Sequence, residues 1–259
     1  MTGLARELRK MALHMSYTGG DGNLQSAFSS ADIISSLYNS VIDVKRNDVN
    51  RNIFILSKGQ ANIVLLAELA YQGLFDPHEL QTFCKIDSRI SMQADRTKLK
   101  GIEVSAGSLG HGFPVAVGMA WAKKIKNENG TVYVLAGDGE MNEGTMWESV
   151  LFAASEKLNN LILIIDNNHS IERLINMGGF EVKMKAFGFE YIKVNGHDEC
   201  ELIKTYAKLC DKPLVIDANT VRGYGCQSMM DDNSWFHRAP DKNELSQMIY
   251  EVDMFGMVS

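Results

Sequence analysis

Thr131-Val132-Tyr133-Val134-Leu135-Ala136 followed by Gly137-Asp138-Gly139, and Leu161-Ile162-Leu163-Ile164-Ile165 followed by Asp166-Asn167-Asn168, are the two stretches that decide the fold. Each is an apolar run that ends abruptly in polar residues. The segment between them, Asn142 to Lys157, reads as a helix. The order strand, turn, helix, strand makes the two runs neighbouring parallel strands, with both polar ends at their carboxyl edges. There a carboxylate, Asp138, and an amide, Asn168, converge with backbone carbonyls. Oxygen donors of this kind suit a small hard dication, which would in turn hold a diphosphate. A lone Gly-Asp-Gly is otherwise only a tight turn.

Leu4, Leu8, Met11 and Met15 recur at helical spacing, and a glycine-rich polar loop is expected from Tyr17 to Gln25. Ser29 or Ser30 is expected to cap the next helix, with Asp32 in its first turn and Ile33, Leu37 and Val41 on one face. Asn52 to Leu56 reads as the first strand. Lys58-Gly59 opens a helix that runs through Tyr71, and Pro77 begins a short one. Residues 85–103 have no period. A long helix from Phe113 to Lys126 follows Gly107-Ser108-Leu109-Gly110. Later expectations are strands at Tyr191–Val194 and Leu214–Thr220, and helices at Glu199–Leu209 and Asn243–Val252. Alternation of this kind predicts a single α/β domain over 1–259, a three-layer, doubly wound parallel sheet with helices on both faces.

Bulk numbers narrow the function. Hydrophobic residues are 45% and charged residues 22%, an ordinary composition with ample core. The net charge of −6 gives no basic footprint for nucleic acid. No apolar run approaches the roughly 20 residues of a membrane span, and Met1 to Lys10 is charged and amphipathic rather than an export signal. Cys84, Cys200, Cys210 and Cys226 lack CxxC spacing and read as reduced, mostly buried thiols of a cytoplasmic protein.

Gly137-Asp138-Gly139-Glu140-Met141-Asn142-Glu143-Gly144, with the later Asn168, resembles the thiamine diphosphate fingerprint of the transketolase family. The resemblance continues in Ser29-Ser30-Ala31-Asp32-Ile33, in Leu56-Ser57-Lys58-Gly59, in Gly101-Ile102-Glu103-Val104 with Gly107 to Gly110, and in Thr220 to Gly225 with His237-Arg238-Ala239-Pro240. It implies thiamine diphosphate and Mg²⁺ or Ca²⁺ as cofactors. The metal would be held by Asp138, Asn168 and the main-chain carbonyl of Ser170. The coenzyme would be bound by Gly137 to Glu140, Asn168, Ser108, Leu109, Gly110, Gln60 and His237. The chain ends where a full-length transketolase begins its pyrimidine-binding domain. The resemblance therefore implies the N-terminal subunit of a split enzyme, inactive alone. Its C-terminal partner would carry the pyrimidine domain and the catalytic glutamate, in a heterotetramer of two pairs.

Three family histidines are replaced by amides: Asn23, Gln60 and, in a less secure alignment, Gln93. The family's Gly-Gln-Gly is Gly110-His111-Gly112. Imidazole moves protons near neutral pH, whereas amides only donate and accept hydrogen bonds. His237, His111, Gln60 and Asn23 are thus the candidate catalytic residues, on a rebuilt substrate side. His111 either replaces a lost imidazole or bonds its own loop. Lys58 either caps a turn or faces the active-site entrance. Glu143 is placed by the resemblance at a subunit boundary, and His169 flanks the metal ligand or faces solvent. Arg222 and Arg238 receive an anion or pair with surface acids, the second being the default. His14, His78 and His197 read as structural. Three functions remain open: ketol transfer between sugars, acyl transfer from a 2-keto acid with loss of CO₂, and a non-catalytic subunit that stabilises its partner.

Overall fold

The computed structural model describes residues 1–171, 175, 178–232 and 234–256. Five strands form one all-parallel sheet: β1 (Ile53–Leu56), β2 (Val132–Gly137), β3 (Leu161–Asn167), β4 (Glu190–Asn195) and β5 (Leu214–Asn219). Their order is β1-β2-β3-β5-β4. The helices are α1 (Gly3–Gly19), α2 (Leu24–Ser40), α3 (Asn62–Tyr71), α4 (Gly112–Ile125), α5 (Gly144–Ser155), α6 (Phe180–Phe187), α7 (Glu199–Tyr206), α8 (Gln227–Asp231) and α9 (Lys242–Met254). The strands advance in one direction until the step from β4 to β5 reverses it. Right-handed crossovers then put α7 on the face opposite α4, α5 and α6.

The apolar strand runs are explained by burial on both sides. Phe54, Leu56, Tyr133, Leu135, Ile162 and Ile164 share one apolar cluster with residues of α1, α2, α3, α7 and α9. Their neighbours Ile53, Ile55, Val132, Val134, Leu161 and Leu163 pack beneath α4, α5 and α6. Each such side chain contributes roughly 1.5–3 kcal/mol on removal from water.

Several expected boundaries move. The loop expected at Tyr17–Gln25 shrinks, because α1 runs to Gly19 and stops on Gly20 in the left-handed region at φ 76°. Helix α2 starts at Leu24 with Asn23 at its N-cap, so Ser29, Ser30 and Asp32 are interior rather than capping. Ser29 and Ser30 return their hydroxyls to the carbonyl of Ser26, which is how a helix accommodates residues that otherwise favour caps. The helix expected from Asn142 begins as a 3₁₀ turn over Glu140–Asn142 and becomes α-helical only at Gly144. Lys58-Gly59 likewise opens a 3₁₀ turn at Gly59–Ala61 before α3, and Pro77–Thr82 is 3₁₀ throughout. Helix α7 ends at Tyr206, short of Leu209. Helices α6 and α8 were not expected. The thiols are free but not mostly buried: Cys226 is buried, Cys84 and Cys200 are exposed, and Cys210 is intermediate.

Two buried acids show how the helical layer is held. Asp32 accepts Arg9 at 2.5 Å and His197 Nδ1 at 2.8 Å. Burial by itself raises this carboxyl, but the Arg9 charge and the His197 contact bring it down to about 2. Among the described residues, Glu68, in the middle of α3, has only Gln72 as a donor, and its Oε2 meets no hydrogen-bond partner. Burial pushes Glu68 up to about 7. The native state therefore holds a proton that the unfolded chain releases near the ordinary glutamate value, so stability falls as pH rises from about 4.5 through 7. Glu68→Gln is expected to leave stability unchanged at pH 5 and to raise it at pH 8 by on the order of 2–3 kcal/mol. Urea unfolding at the two pH values checks this, and equal effects at both would refute it.

Candidate active site at the carboxyl edge of the sheet

Asp138 is the first residue beyond β2 and is buried, as is Asn168 just beyond β3. Asp138 Oδ1 accepts the Gly139 amide and the Ser170 hydroxyl, each at 2.8 Å. The Ser170 amide is shared between Asp138 Oδ2 at 2.8 Å and Asn168 Oδ1 at 3.2 Å. Asn168 Nδ2 donates to Ser29 Oγ at 3.2 Å. With that donor committed, the amide is fixed with its oxygen toward the carboxylate. His169, in the left-handed region at φ 59°, makes the turn that brings residue 170 back to Asp138. The three expected metal-site residues are thus assembled. No group of three or more His, Cys, Asp or Glu side chains that could hold a metal occurs among the described residues. The Asp138 carboxylate and the Asn168 amide oxygen are oxygen donors, which suit a hard cation such as Mg²⁺ or Ca²⁺.

The Lys58 side chain neither caps a turn nor faces an entrance. It is buried and paired with Asp166, near the end of β3. Asp166 Oδ2 also accepts the Ser29 and Ser30 hydroxyls, each at 2.7 Å, and Oδ1 accepts the Thr220 hydroxyl. Lys58 Nζ donates further to the Ser26 carbonyl at 3.0 Å. Burial raises the Asp166 carboxyl, but the Lys58 charge and the hydrogen bonds from Lys58, Thr220 and Ser29 together outweigh it, and the net shift is downward. Ser29 belongs to both networks, so the ion pair and the metal-site amide are mechanically joined through α2.

Glu140 is the strut of the opposite wall. Its Oε1 accepts Ser57 Oγ at 2.6 Å and the Gly110 amide at 2.9 Å, and its Oε2 accepts the Gly137 amide at 3.3 Å. Burial nevertheless raises its carboxyl above the ordinary value. These bonds tie the Asp138 turn to the Ser108-Leu109-Gly110 loop. Gly110 has φ 78°, and a Cβ there would lie 2.5 Å from Thr145 Oγ1, so a side chain cannot be added. A Cβ on Gly59 would sit 2.6 Å from Gln93 Oε1 and 2.8 Å from Gly107 Cα. Backbone contact at these glycines brings the loops of Gln60, Gln93 and Ser108 together.

His111 is exposed and bonds the Leu109 carbonyl at 3.0 Å through Nδ1, which supports the reading that it braces its own loop. His237 is also exposed and lies 3.6 Å from Asp21, on the short loop that carries Asn23. Asn23 itself is buried, and its Oδ1 meets no hydrogen-bond partner among the described residues. His237 and Asn23 therefore share one end of α2, while the Asp138 cluster is reached from its next turns. Glu143 is exposed at the start of α5. His169 bonds Asn219 at 2.7 Å. Arg238 pairs with Glu244 and stacks 4.0 Å over Trp235, as its default reading required, whereas Arg222 contacts the Gln25 side chain at 2.8 Å. His197 bonds Asp32 and stacks on Tyr224, a structural position. Sequence reasoning missed Asp166, Ser26 and Thr220. The available signal was a carboxylate ending an otherwise apolar buried strand, which demands a buried cation.

Residues 2–253 match the transketolase, thiamine diphosphate binding domain family, to which the chain belongs. It is 32% identical to one of the subunits of apulose-4-phosphate transketolase from Actinobacillus succinogenes, over 94% of this chain and 92% of that protein. It is 33% identical to the transketolase of Homo sapiens, over 96% of this chain but 41% of that protein. The transketolase structure from Campylobacter jejuni superposes with a TM-score of 0.88 at 27% identity, covering 98% of this chain and 43% of that one. The chain is thus a transketolase-type, thiamine-diphosphate-dependent enzyme subunit. It spans nearly all of the Actinobacillus protein and about two fifths of the longer transketolases. No helix among the described residues is long and apolar enough to cross a membrane.

Proposed function

We propose that this chain holds thiamine diphosphate through Mg²⁺ or Ca²⁺ at Asp138, Asn168 and the Ser170 carbonyl. With a second polypeptide it would transfer a two-carbon ketol unit from a sugar-like donor to an aldehyde acceptor. One observation carries the reading: the carboxylate of Asp138 and the amide oxygen of Asn168 meet on the Ser170 amide, with the amide orientation set by Ser29. Thiamine diphosphate held there would supply a carbon nucleophile and an electron sink for the chemistry. Asp138 would offset the dication's charge, and Asn168 would add a neutral oxygen donor. His237 holds or moves a proton at a substrate hydroxyl, assisted by His111 where its loop borders the site. Asn23, Gln60 and Gln93 bind hydroxyls without exchanging protons.

The partner would contribute the pyrimidine-binding domain and its glutamate, two such pairs forming a heterotetramer, with this chain as one diphosphate-binding domain over 1–259 (257–259 lie outside the described residues). The name of the Actinobacillus relative supports both a split enzyme and a sugar-phosphate substrate. Four free thiols suit a reducing cytoplasm. The test is a donor screen on the chain assembled with its partner. Cleavage of ketose phosphates is expected. CO₂ release from pyruvate without ketose cleavage would transfer the enzyme to the 2-keto-acid class. Full turnover by the chain alone would remove the partner from the scheme.

A further inference from the structure

Gln25 lies in the first turn of α2, two residues after Asn23, and is buried to 1% exposure. Nothing in the metal cluster uses it. Its side chain is nevertheless saturated, and all three of its contacts go to one distant segment. Nε2 donates to the Met229 carbonyl at 2.6 Å and to the Asp232 carbonyl at 2.8 Å, and Oε1 accepts Arg222 Nη2 at 2.8 Å. The Gln25 main-chain carbonyl also accepts the Gly223 amide at 3.1 Å. Met229 and Asp232 sit at the end of the five-residue helix α8, where carbonyls lack intrahelical partners. One primary amide with two hydrogens and one oxygen satisfies two such carbonyls and a guanidinium together. A carboxylate cannot donate to the carbonyls, and a thioether cannot donate at all and accepts only weakly.

The clasped segment leaves β5 at Thr220, whose hydroxyl is on Asp166, and a few residues beyond Asp232 it delivers His237 to Asp21. We propose that Gln25 is a positioning residue for group transfer: it fastens the 222–232 segment to the first turn of α2 and thereby sets His237 beside Asp21, on the loop that carries Asn23. The catalytic half of this rests on the role given to His237 under the proposed function; the clasp itself does not. The logic is geometric. A proton-handling group on a free loop samples many placements, and a misplacement of about 1 Å can cost on the order of 100-fold in rate.

The test uses Gln25→Glu and Gln25→Met in the full chain, alone and assembled with its partner. Hydrogen exchange at the amides of 222–232 is expected to accelerate at least about fivefold, the equivalent of one lost hydrogen bond, with those of Val132–Gly137 unchanged. Calorimetric affinity for thiamine diphosphate should stay within about twofold, and kcat should fall roughly 10- to 100-fold. The decisive variant is Gln25→Met combined with His237→Ala, which should be no slower than His237→Ala alone, because the two lie on one path. Losses that multiply, or faster exchange with an unchanged kcat, would reduce Gln25 to a structural strut and overturn the proposal. Unchanged exchange would remove the clasp. A fully active His237→Ala enzyme with accelerated exchange in the Gln25 variants would instead locate the failure in the functional reading, and the catalytic role of Gln25 would fall with it.

Discussion

Asp138→Ala, in the chain assembled with its partner, is expected to weaken thiamine diphosphate binding by roughly 100-fold or more and to abolish its dependence on Mg²⁺ or Ca²⁺. Losing a residue merely adjacent to a metal ligand typically costs 10- to 100-fold, and the change removes the one carboxylate of the donor set. It also releases the Ser170 amide and hydroxyl, which Asp138 now holds at 2.8 Å each. The loop beyond Asn168 loses its anchor together with the cation. Asp138→Asn separates the two effects, because it keeps an oxygen toward Ser170 while removing the charge. Calorimetry with and without the divalent ion gives the answer. An Asp138→Ala enzyme that binds the coenzyme and turns over like the parent would mean a passive role and would end the reading.

The second large effect concerns stability. Lys58→Met leaves Asp166 buried among hydroxyls with no cation, and breaking one side of such a pair costs about 3–5 kcal/mol. The sign follows from the carboxyl's shift. Asp166 titrates below its ordinary value in the native protein, so it contributes stability above the unfolded value, lost only as pH falls through the native one. Without Lys58 only the hydroxyls of Ser29, Ser30 and Thr220 oppose the burial that raises this carboxyl, and the folded chain takes up a proton at higher pH. The deficit should therefore be largest near pH 8 and shrink toward pH 5. Lys58→Met with Asp166→Asn should recover most of it, since no buried charge is left. Urea titration of the four proteins closes the cycle. A loss under about 1 kcal/mol at pH 8 is what an exposed pair would give, and it would contradict the burial described.

What the sequence made legible follows physical lines. β2 and β3 are readable because strands covered on both faces become unbroken apolar runs, and the polar residues that end them mark the site edge. Asp138 and Asn168 were therefore visible as a pair from the chain alone. The start of α2 was not, because Ser26, Ser29 and Ser30 favour turns and caps as isolated residues, and only tertiary partners make them helical. The Lys58–Asp166 pair escaped because its members lie 108 residues apart and each has a plausible local explanation. His111 and His237 were visible by type, but their exposure and their contacts with Leu109 and Asp21 are properties of the folded loops.

Every residue of α2 from Leu24 to Tyr38 is buried. A rod with no outward side has no neutral positions, so mutations along it should be scarce in any functional population. Natural or engineered changes of substrate taste should gather instead beside it, at Asn23 and in the glutamine-bearing loops at Gln60 and Gln93.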